Sequence, residues 1–298
     1  MTPYLFGRAY TMTLVDPKTG IGQAFGNQTS GQSALRISFE VKQGVKDTPN
    51  HAKITAYNFN AATQKAVSGA YGIRLAAGYD NQAQTVFIGT LFKATSGRGD
   101  ANKTAVNTKR QGPDILTEME ATDGQDALLN SAFNRAYPKA TPVSQIVSDV
   151  ASAMGLSVNA TVGTAGRIIA GNQTLSGGCR QVLQVCLRPY GLEFNVLNNK
   201  LNIIAKGGHL GTQAIVVSAH TGLLGVPSLS DEGATFDCLL NPQLVPGQLV
   251  QLTCQQAPAG AFFKVRSATF VGDTRGDDWS VTCECARLPT GTVTASSS

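Results

Sequence analysis

The sequence predicts a mainly β protein interrupted by a small α+β insert. Three observations carry that prediction. Runs of alternating apolar and polar residues recur through residues 1–124, a helix-period pattern with its own stop and start signals occupies 125–206, and alternation returns over 207–290. The end, 291–298, is small and polar and is expected to be a disordered tail.

The clearest strand is ALRISFEVK at 34–42. Leu35, Ile37, Phe39 and Val41 point one way, and Arg36, Ser38, Glu40 and Lys42 point the other. Arg8 to Val15, Ala52 to Phe59, Tyr71 to Gly78, Thr85 to Ala94 and Ile115 to Thr122 read similarly, separated by turn-rich pieces such as DPKTG, NFNAATQ and GYDNQ. Strands at this spacing without helices predict a sandwich or barrel. In the last of them Glu118 and Glu120 share a polar face.

Asp123 is the expected N-cap of a helix running through ALLNSAFNRAY. A second helix is expected from Thr141, its cap, and Pro142, its first residue, to Gly155. Val143, Ile146, Val147, Val150, Ala151 and Met154 form one apolar stripe along it. A third runs from about Ser176 to Leu187 and stops at Pro189. A hairpin follows, EFNVL and KLNII around Asn198-Asn199.

Ala214 to Ser218, Thr235 to Leu240, Leu249 to Cys254, Phe262 to Val271 and Trp279 to Arg287 supply the second set of strands. The two β regions echo each other. Each has a long hydrophobic strand, a loop holding Arg-Gly-Asp (98–100 and 275–277), and then a strand with acidic residues on one face.

Composition narrows the function. Hydrophobic residues make up 42% and charged residues 14%, too little charge for a disordered chain. No run of ~18 apolar residues exists, so no membrane span is expected. The N-terminus lacks the pattern of a secretory signal, which predicts folding in a cytosol. A net charge of +5 scattered along the chain predicts a mildly basic surface, not a nucleic-acid binder. The six cysteines form no C-x-x-C and sit in apolar settings, so buried reduced thiols are expected.

Catalytic and metal signatures are missing. The chain has no G-x-S-x-G, H-E-x-x-H or P-loop. His51, His209 and His220 show no ligand spacing and read as exposed loop residues. No catalytic residue, metal or cofactor is assigned. The Arg-Gly-Asp triplets read as turn chemistry rather than adhesion sites.

Residues 216–250 resemble baseplate hub proteins of contractile-tailed bacteriophages, the late-control or tail-hub family. The matching pieces are Thr221, Gly222, Leu223, Leu224, Gly225 and Pro227 before a strand, and Leu239, Leu240, Asn241, Pro242, Pro246 and Gly247 after it. Val86–Gly89 (VFIG), then Asp123-Gly124 leading into the helices, extend the likeness to most of the chain. Taken alone, these glycines and prolines are ordinary turn and strand-end residues.

The resemblance implies two tail-tube-like β-barrel domains flanking the helix-containing domain. It implies a homotrimer presenting six similar barrels. Such a ring would join a hexameric tail tube, or distal tube proteins, to a trimeric spike, beside baseplate wedge proteins and in the virion. DNA would pass through its channel, and Glu118 and Glu120 are candidates for a polar barrel face. The competing expectations are a distal tube protein or tube initiator, and a tail-associated cell-wall hydrolase.

Overall fold

The computed structural model describes residues 7–27, 34–45, 48–67, 71–80, 82–99, 114–161 and 163–288. The predicted tail at 291–298 and Asp100 of the first Arg-Gly-Asp triplet lie outside them, while Arg98 and Gly99, expected in a loop, belong to the strand Gln84–Gly99.

The first β-unit comprises β1 (Arg8–Val15), β2 (Gly22–Gly26), β3 (Ile37–Gly44), β4 (Asn50–Tyr57), β5 (Gly72–Tyr79), β6 (Gln84–Gly99) and β7 (Asp114–Asp123). A short helix, α1 (Ala61–Ala66), stands where NFNAATQ reads as a turn, because the Asn60 side chain accepts the Thr63 amide at 2.8 Å and caps it. The last β-unit comprises β13 (Leu210–Val217), β14 (Leu223–Leu229), β15 (Gly233–Leu239), β16 (Gln248–Cys254), β17 (Ala257–Asp273) and β18 (Trp279–Arg287). Alternation is realised as burial. Ile37, Phe39 and Val41 are buried while Ser38 and Glu40 are partly open and Lys42 is exposed.

The two units lay down their strands in the same order. The first runs β1-β5-β6-β7-β4-β3 and the last runs β13-β16-β17-β18-β15-β14. In each, the first strand lies beside the fourth, followed by the fifth, sixth, third and second, once β2 is set aside as an extra edge strand on β1. One difference is that β1 pairs antiparallel with β5, whereas β13 pairs parallel with β16. Among the described residues neither unit closes on itself into a barrel. They are joined instead, by β3 lying antiparallel on β17, into one 13-stranded sheet. Side chains from both units, from Met12 and Leu75 to Phe236 and Val281, belong to one core.

The insert has a core of its own, in which α3 (Val143–Ala153) and α4 (Cys179–Leu187) are central. The predicted stripe from Val143 to Met154 is buried there with Cys179, Val182, Leu183 and Cys186. Gly155 follows α3 with φ +69°, a left-handed residue that ends it. The helix begins one residue later than expected. Pro142 is its N-cap, and the Thr141 hydroxyl turns back to donate to the Pro138 carbonyl at 2.7 Å.

The helix expected through ALLNSAFNRAY is only half right. α2 (Gln125–Leu129) is a short helix, and β8 (Ala132–Tyr137) is a strand paired with β10 (Gln173–Gly178), which also replaces the first turn expected of the third helix. Phe133 and Tyr137 suit either geometry, because residues four apart share a face in a helix and in a strand alike. Their rings stack with centroids 6.4 Å apart. The hairpin of β11 (Leu192–Leu197) and β12 (Lys200–Ala205) turns at Asn198 and Asn199, φ 54° and 59°, as the sequence predicts. β9 (Ser157–Thr161) adds a parallel third strand. No helix among the described residues is long and apolar enough to cross a membrane.

Candidate functional site

The sheet presents one continuous polar face running across both units. Cross-strand rows follow from the pairings. One runs Ser280, Val271, Glu40, Lys53, Glu120, Lys93, and the next runs Asp237, Thr282, Thr269, Lys42, His51, Thr122. Glu118 lies in the row on the other side, with Ser38, Thr55 and Thr95. The other face of the same strands carries Phe39, Ile54, Met119, Phe270 and Cys283 into the core. Glu118 and Glu120 therefore share a polar face, as alternation requires. Glu120 accepts from Lys93 at 2.9 Å, and His51 lies 3.9 Å away. The Lys93 hydrogen bond holds the Glu120 carboxyl below its ordinary range. His51, expected in a loop, is a β4 residue on this face, while His220 is exposed and His209 lies in the link just before β13, with Nδ1 3.1 Å from the Gly211 carbonyl.

A buried polar knot ties the insert to the first unit. Asp123 ends β7, fully buried, instead of capping α2, whose N-cap is Gly124. Its carboxylate accepts the Asn198 amide at 2.5 Å and the Asn199 amide at 3.0 Å. Burial pushes the Asp123 carboxyl above its ordinary value, and these amides together with Asn50 pull against that rise. The Asn50 amide donates to the Val196 carbonyl at 2.8 Å, and the Asn198 side chain accepts the Ile88 amide at 2.9 Å. Gly124, φ +71°, lies so close to Val196 that a Cβ would stand 2.7 Å from its Cγ1. The Asp-Gly pair thus carries chain direction and domain seating together.

Gly247 plays the matching part at the insert's exit. Its φ is +93°, and a Cβ would meet Ile204 at 2.7 Å and Leu210 at 2.9 Å. Its amide donates to Val265 and its carbonyl accepts from Leu210. Nearby, Lys264 of β17, only 4% exposed, pairs with Glu193 of β11. The rest of the motif shapes β14 and the turn after β15. The Thr221 hydroxyl accepts the Ser218 amide at 2.8 Å and donates to the Val216 carbonyl at 3.0 Å. Gly222 (φ 104°) and Gly225 (φ 63°) are left-handed, and Leu223 and Leu224 lie opposite Cys238 and Asp237. Pro227 is buried. Leu239 donates to the Gly222 carbonyl, and the buried Leu240 donates to the Trp279 carbonyl at 3.1 Å. The Asn241 side chain accepts the Gln243 amide at 3.0 Å, between Pro242, partly open, and the buried Pro246.

The seam between the units is closed by charge. Arg36 grips Asp273 through two bonds, Nε to Oδ1 at 3.1 Å and Nη2 to Oδ2 at 2.8 Å, and its guanidinium lies over the Tyr57 ring at 4.6 Å. Burial raises the Asp273 carboxyl, but the Arg36 bond and the amides of Arg275 and Gly276 outweigh it and leave the group below its ordinary value. Arg8 donates to the carbonyls of Asp273, Gly276 and Asp277. The second Arg-Gly-Asp triplet is therefore a turn tied down by its own chain, as its composition predicts.

Three surface clefts, of about 460 to 520 Å³, hold no nucleophile beside a histidine and an acid among their lining residues. No cluster of three metal-ligating side chains occurs among the described residues. Five cysteines are buried and Cys254 is half-buried, all six as free thiols. Burial pushes the Cys238 and Cys285 thiols up to about 12, so they are inert at neutral pH.

The family model described as baseplate hub gp41 matches residues 51–285. No curated protein sequence matches the chain. Among solved structures, the prophage MuSo2 43 kDa tail protein from Shewanella oneidensis has a TM-score of 0.61 at 8% identity, covering 94% of this chain and 98% of that one. A tail protein from Neisseria meningitidis MC58 scores 0.62 at 10% identity over 95% and 97%. The E. coli c3393 protein, a type VI secretion component described as similar to the T4 tail proteins gp27 and gp5, scores 0.56 at 14% identity over 88% and 76%. At such identities these likenesses establish a phage-tail-like fold.

Proposed function

This chain belongs to the baseplate hub gp41 family of phage-tail structural proteins, and from that premise we propose that it forms a trimeric ring with pseudo-sixfold symmetry, joining a hexameric tail tube to a trimeric spike. The observation that carries this reading is the shared strand order of the two β-units within one chain. Three copies then present six similar folds, which meet sixfold and threefold neighbours at once. In this reading residues 1–124 and 207–290 are the two tail-tube-like domains, and 125–206 is the insert between them.

The polar sheet face supplies the wall of a central channel. Its acids, Glu40, Glu118, Glu120, Asp237, Asp273 and Glu284, are interspersed with the cations Arg36, Lys42, Lys53, Arg74 and Lys93. A face of mixed charge, without a run of cations, gives DNA no strong hold in transit. The motif residues Thr221 to Pro227 and Leu239 to Gly247 act structurally, shaping the edge strand β14 and seating the insert. The protein works as a non-enzymatic part of the virion baseplate, with spike, tube and wedge proteins as neighbours.

Averaged electron micrographs of tails test this. A threefold ring with six similar lobes is the expected result. A sixfold ring would assign the chain to the tube instead. Cell-wall clearing that disappears in Glu118→Gln would make Glu118 and Glu120 the carboxylate pair of a glycoside hydrolase and assign the chain to that class.

A further inference from the structure

The two long hairpins can be laid on each other residue by residue. In β6 the pairing with β7 steps from Leu91 to Lys93, leaving Phe92 unopposed, and in β17 the pairing with β18 steps from Val265 to Ser267, leaving Arg266 unopposed. Matching the two bulges sets Lys93-Ala94-Thr95 on Ser267-Ala268-Thr269 and ends both strands together, at Gly99 and Asp273. It also sets Glu120, opposite Lys93, on Glu284, opposite Ser267.

The near halves of β6 and β17 have the same neighbour in each unit. β5 accompanies β6 as far as Leu91, whose amide donates to Tyr71, and β16 accompanies β17 up to Val265, whose carbonyl accepts from Gly247. The far halves differ. Ser267–Asp273 is covered by β3, whereas among the described residues no strand pairs with the same edge of Lys93–Gly99. The strand equivalent to β3 is β14, and its outer edge is likewise unpaired among the described residues. Two unsatisfied edges of one chain thus correspond to the two edges that the same chain already joins internally.

We propose that β14 of one copy pairs antiparallel with the far half of β6 of the next copy, repeating between chains the β3–β17 seam found within each chain. This rests on the trimeric-ring reading and gives that ring its contact. The register follows from the cross-strand partners. Glu40 opposes Lys53 and Lys53 opposes Glu120, while Ser228 opposes Thr235 and Thr235 opposes Glu284. Ser228 therefore stands where Glu40 stands. Because Glu40 faces Val271, Ser228 faces Gly97 of the neighbour, and Ser230 faces Thr95 in the way Lys42 faces Thr269. Paired edges gain main-chain hydrogen bonds, and the exposed Leu224 (41%) and Val226 (76%) gain cover. Gly225 and Pro227 blunt the edge against indiscriminate pairing, and Pro227, standing where Phe39 faces Gly272, has no amide to donate, so this seam carries one hydrogen bond fewer than the internal one. A head-to-tail contact of this type closes into a ring when its rotation fits three copies.

The test uses tail particles assembled with Thr95→Cys plus Ser230→Cys, and separately with Gly97→Cys plus Ser228→Cys. These positions are non-hydrogen-bonded pairs in the seam's pattern, spaced about 4.5 Å between Cα atoms, within disulfide reach. Mild oxidation is expected to convert most of the protein to covalent dimers and trimers on a non-reducing gel, with each single variant remaining monomeric. Particles whose hub ring averages threefold, yet in which neither double variant cross-links, would overturn the strand pairing and leave the hub reading standing. A ring of sixfold symmetry would remove the hub reading and this inference with it.

Discussion

The far half of β17 and the far half of β6 hold equivalent places in two units of the same topology, and they are buried to opposite degrees. In β17, Ala268 and Phe270 are completely buried, and Gly272 lies against the Phe39 ring. In β6, Thr95, Ser96 and Arg98 are exposed. Topology therefore does not set burial. What differs is the strand laid alongside, since β3 brings Phe39 and Val41 to β17. The side chains agree with their surroundings, with Phe270 and Gly272 in one hairpin where the other has Ser96 and Arg98.

The contrast can be broken most directly in the core. Phe270→Ala is expected to lower unfolding free energy by about 3–5 kcal/mol, and Ser96→Ala by only about 1 kcal/mol, the loss of its bond with the buried Thr117 hydroxyl. Urea denaturation of the two variants reads the difference, and equal losses would mean that the two strands are not placed as described. Next in size is the knot at the insert. Asp123→Ala strips the acceptor from two backbone amides and is expected to cost about 3 kcal/mol. Hydrogen exchange should quicken in β11 and β12 more than in β17 and β18.

The two buried carboxylates sharpen the comparison through pH. Asp273 titrates below its ordinary value near 3.8 in the fold, so its contribution is present above about pH 4 and is lost as pH falls through its folded pKa. Asp123 titrates above that value, so the sign reverses. The fold binds its proton more readily than the unfolded chain does, and the stability linked to that proton is lost as pH rises through its folded pKa. Asp273→Asn should cost about 1 kcal/mol at neutral pH and flatten the acid limb of the stability curve. Asp123→Asn should steepen it, because the opposing slope is gone. Denaturation midpoints between about pH 3 and 6 check both. The smallest effect belongs to the exposed face. Lys93→Ala removes the partner of Glu120 and should leave the thermal midpoint unchanged.

Asp123 shows why part of the site escaped a reading of the sequence. An Asp before Gly and a helix reads as a cap, because that is what a local carboxylate near free amides does. The amides it takes belong to Asn198 and Asn199, far along the chain, and nothing local announces them. His51 was misplaced for a similar reason. The TPNHAK segment looks like a loop, yet Asn50 is buried by the insert and His51 already pairs with Thr122. The strand β8 was hidden by a spacing that fits two geometries. By contrast Glu118 and Glu120 were placed on a polar face from alternation alone, and the Asn198-Asn199 turn from its residue types.

Alternation, turn residues and the apolar stripe of α3 are local properties, written into neighbours within a few positions of each other. They determined the run of strands, helices and strands along the chain and the inner faces of β3 and β7, but not the echo of Arg-Gly-Asp loops, since Arg98 and Gly99 lie in β6 whereas Arg275 to Asp277 follow β17. Pairing partners are not local. That β3 lies on β17, that Asp123 holds the turn at Asn198, and that one hairpin edge is covered while its twin stays open depend on residues far apart in the chain. Only the packed structure brings those groups within hydrogen-bonding reach, so only it could decide them.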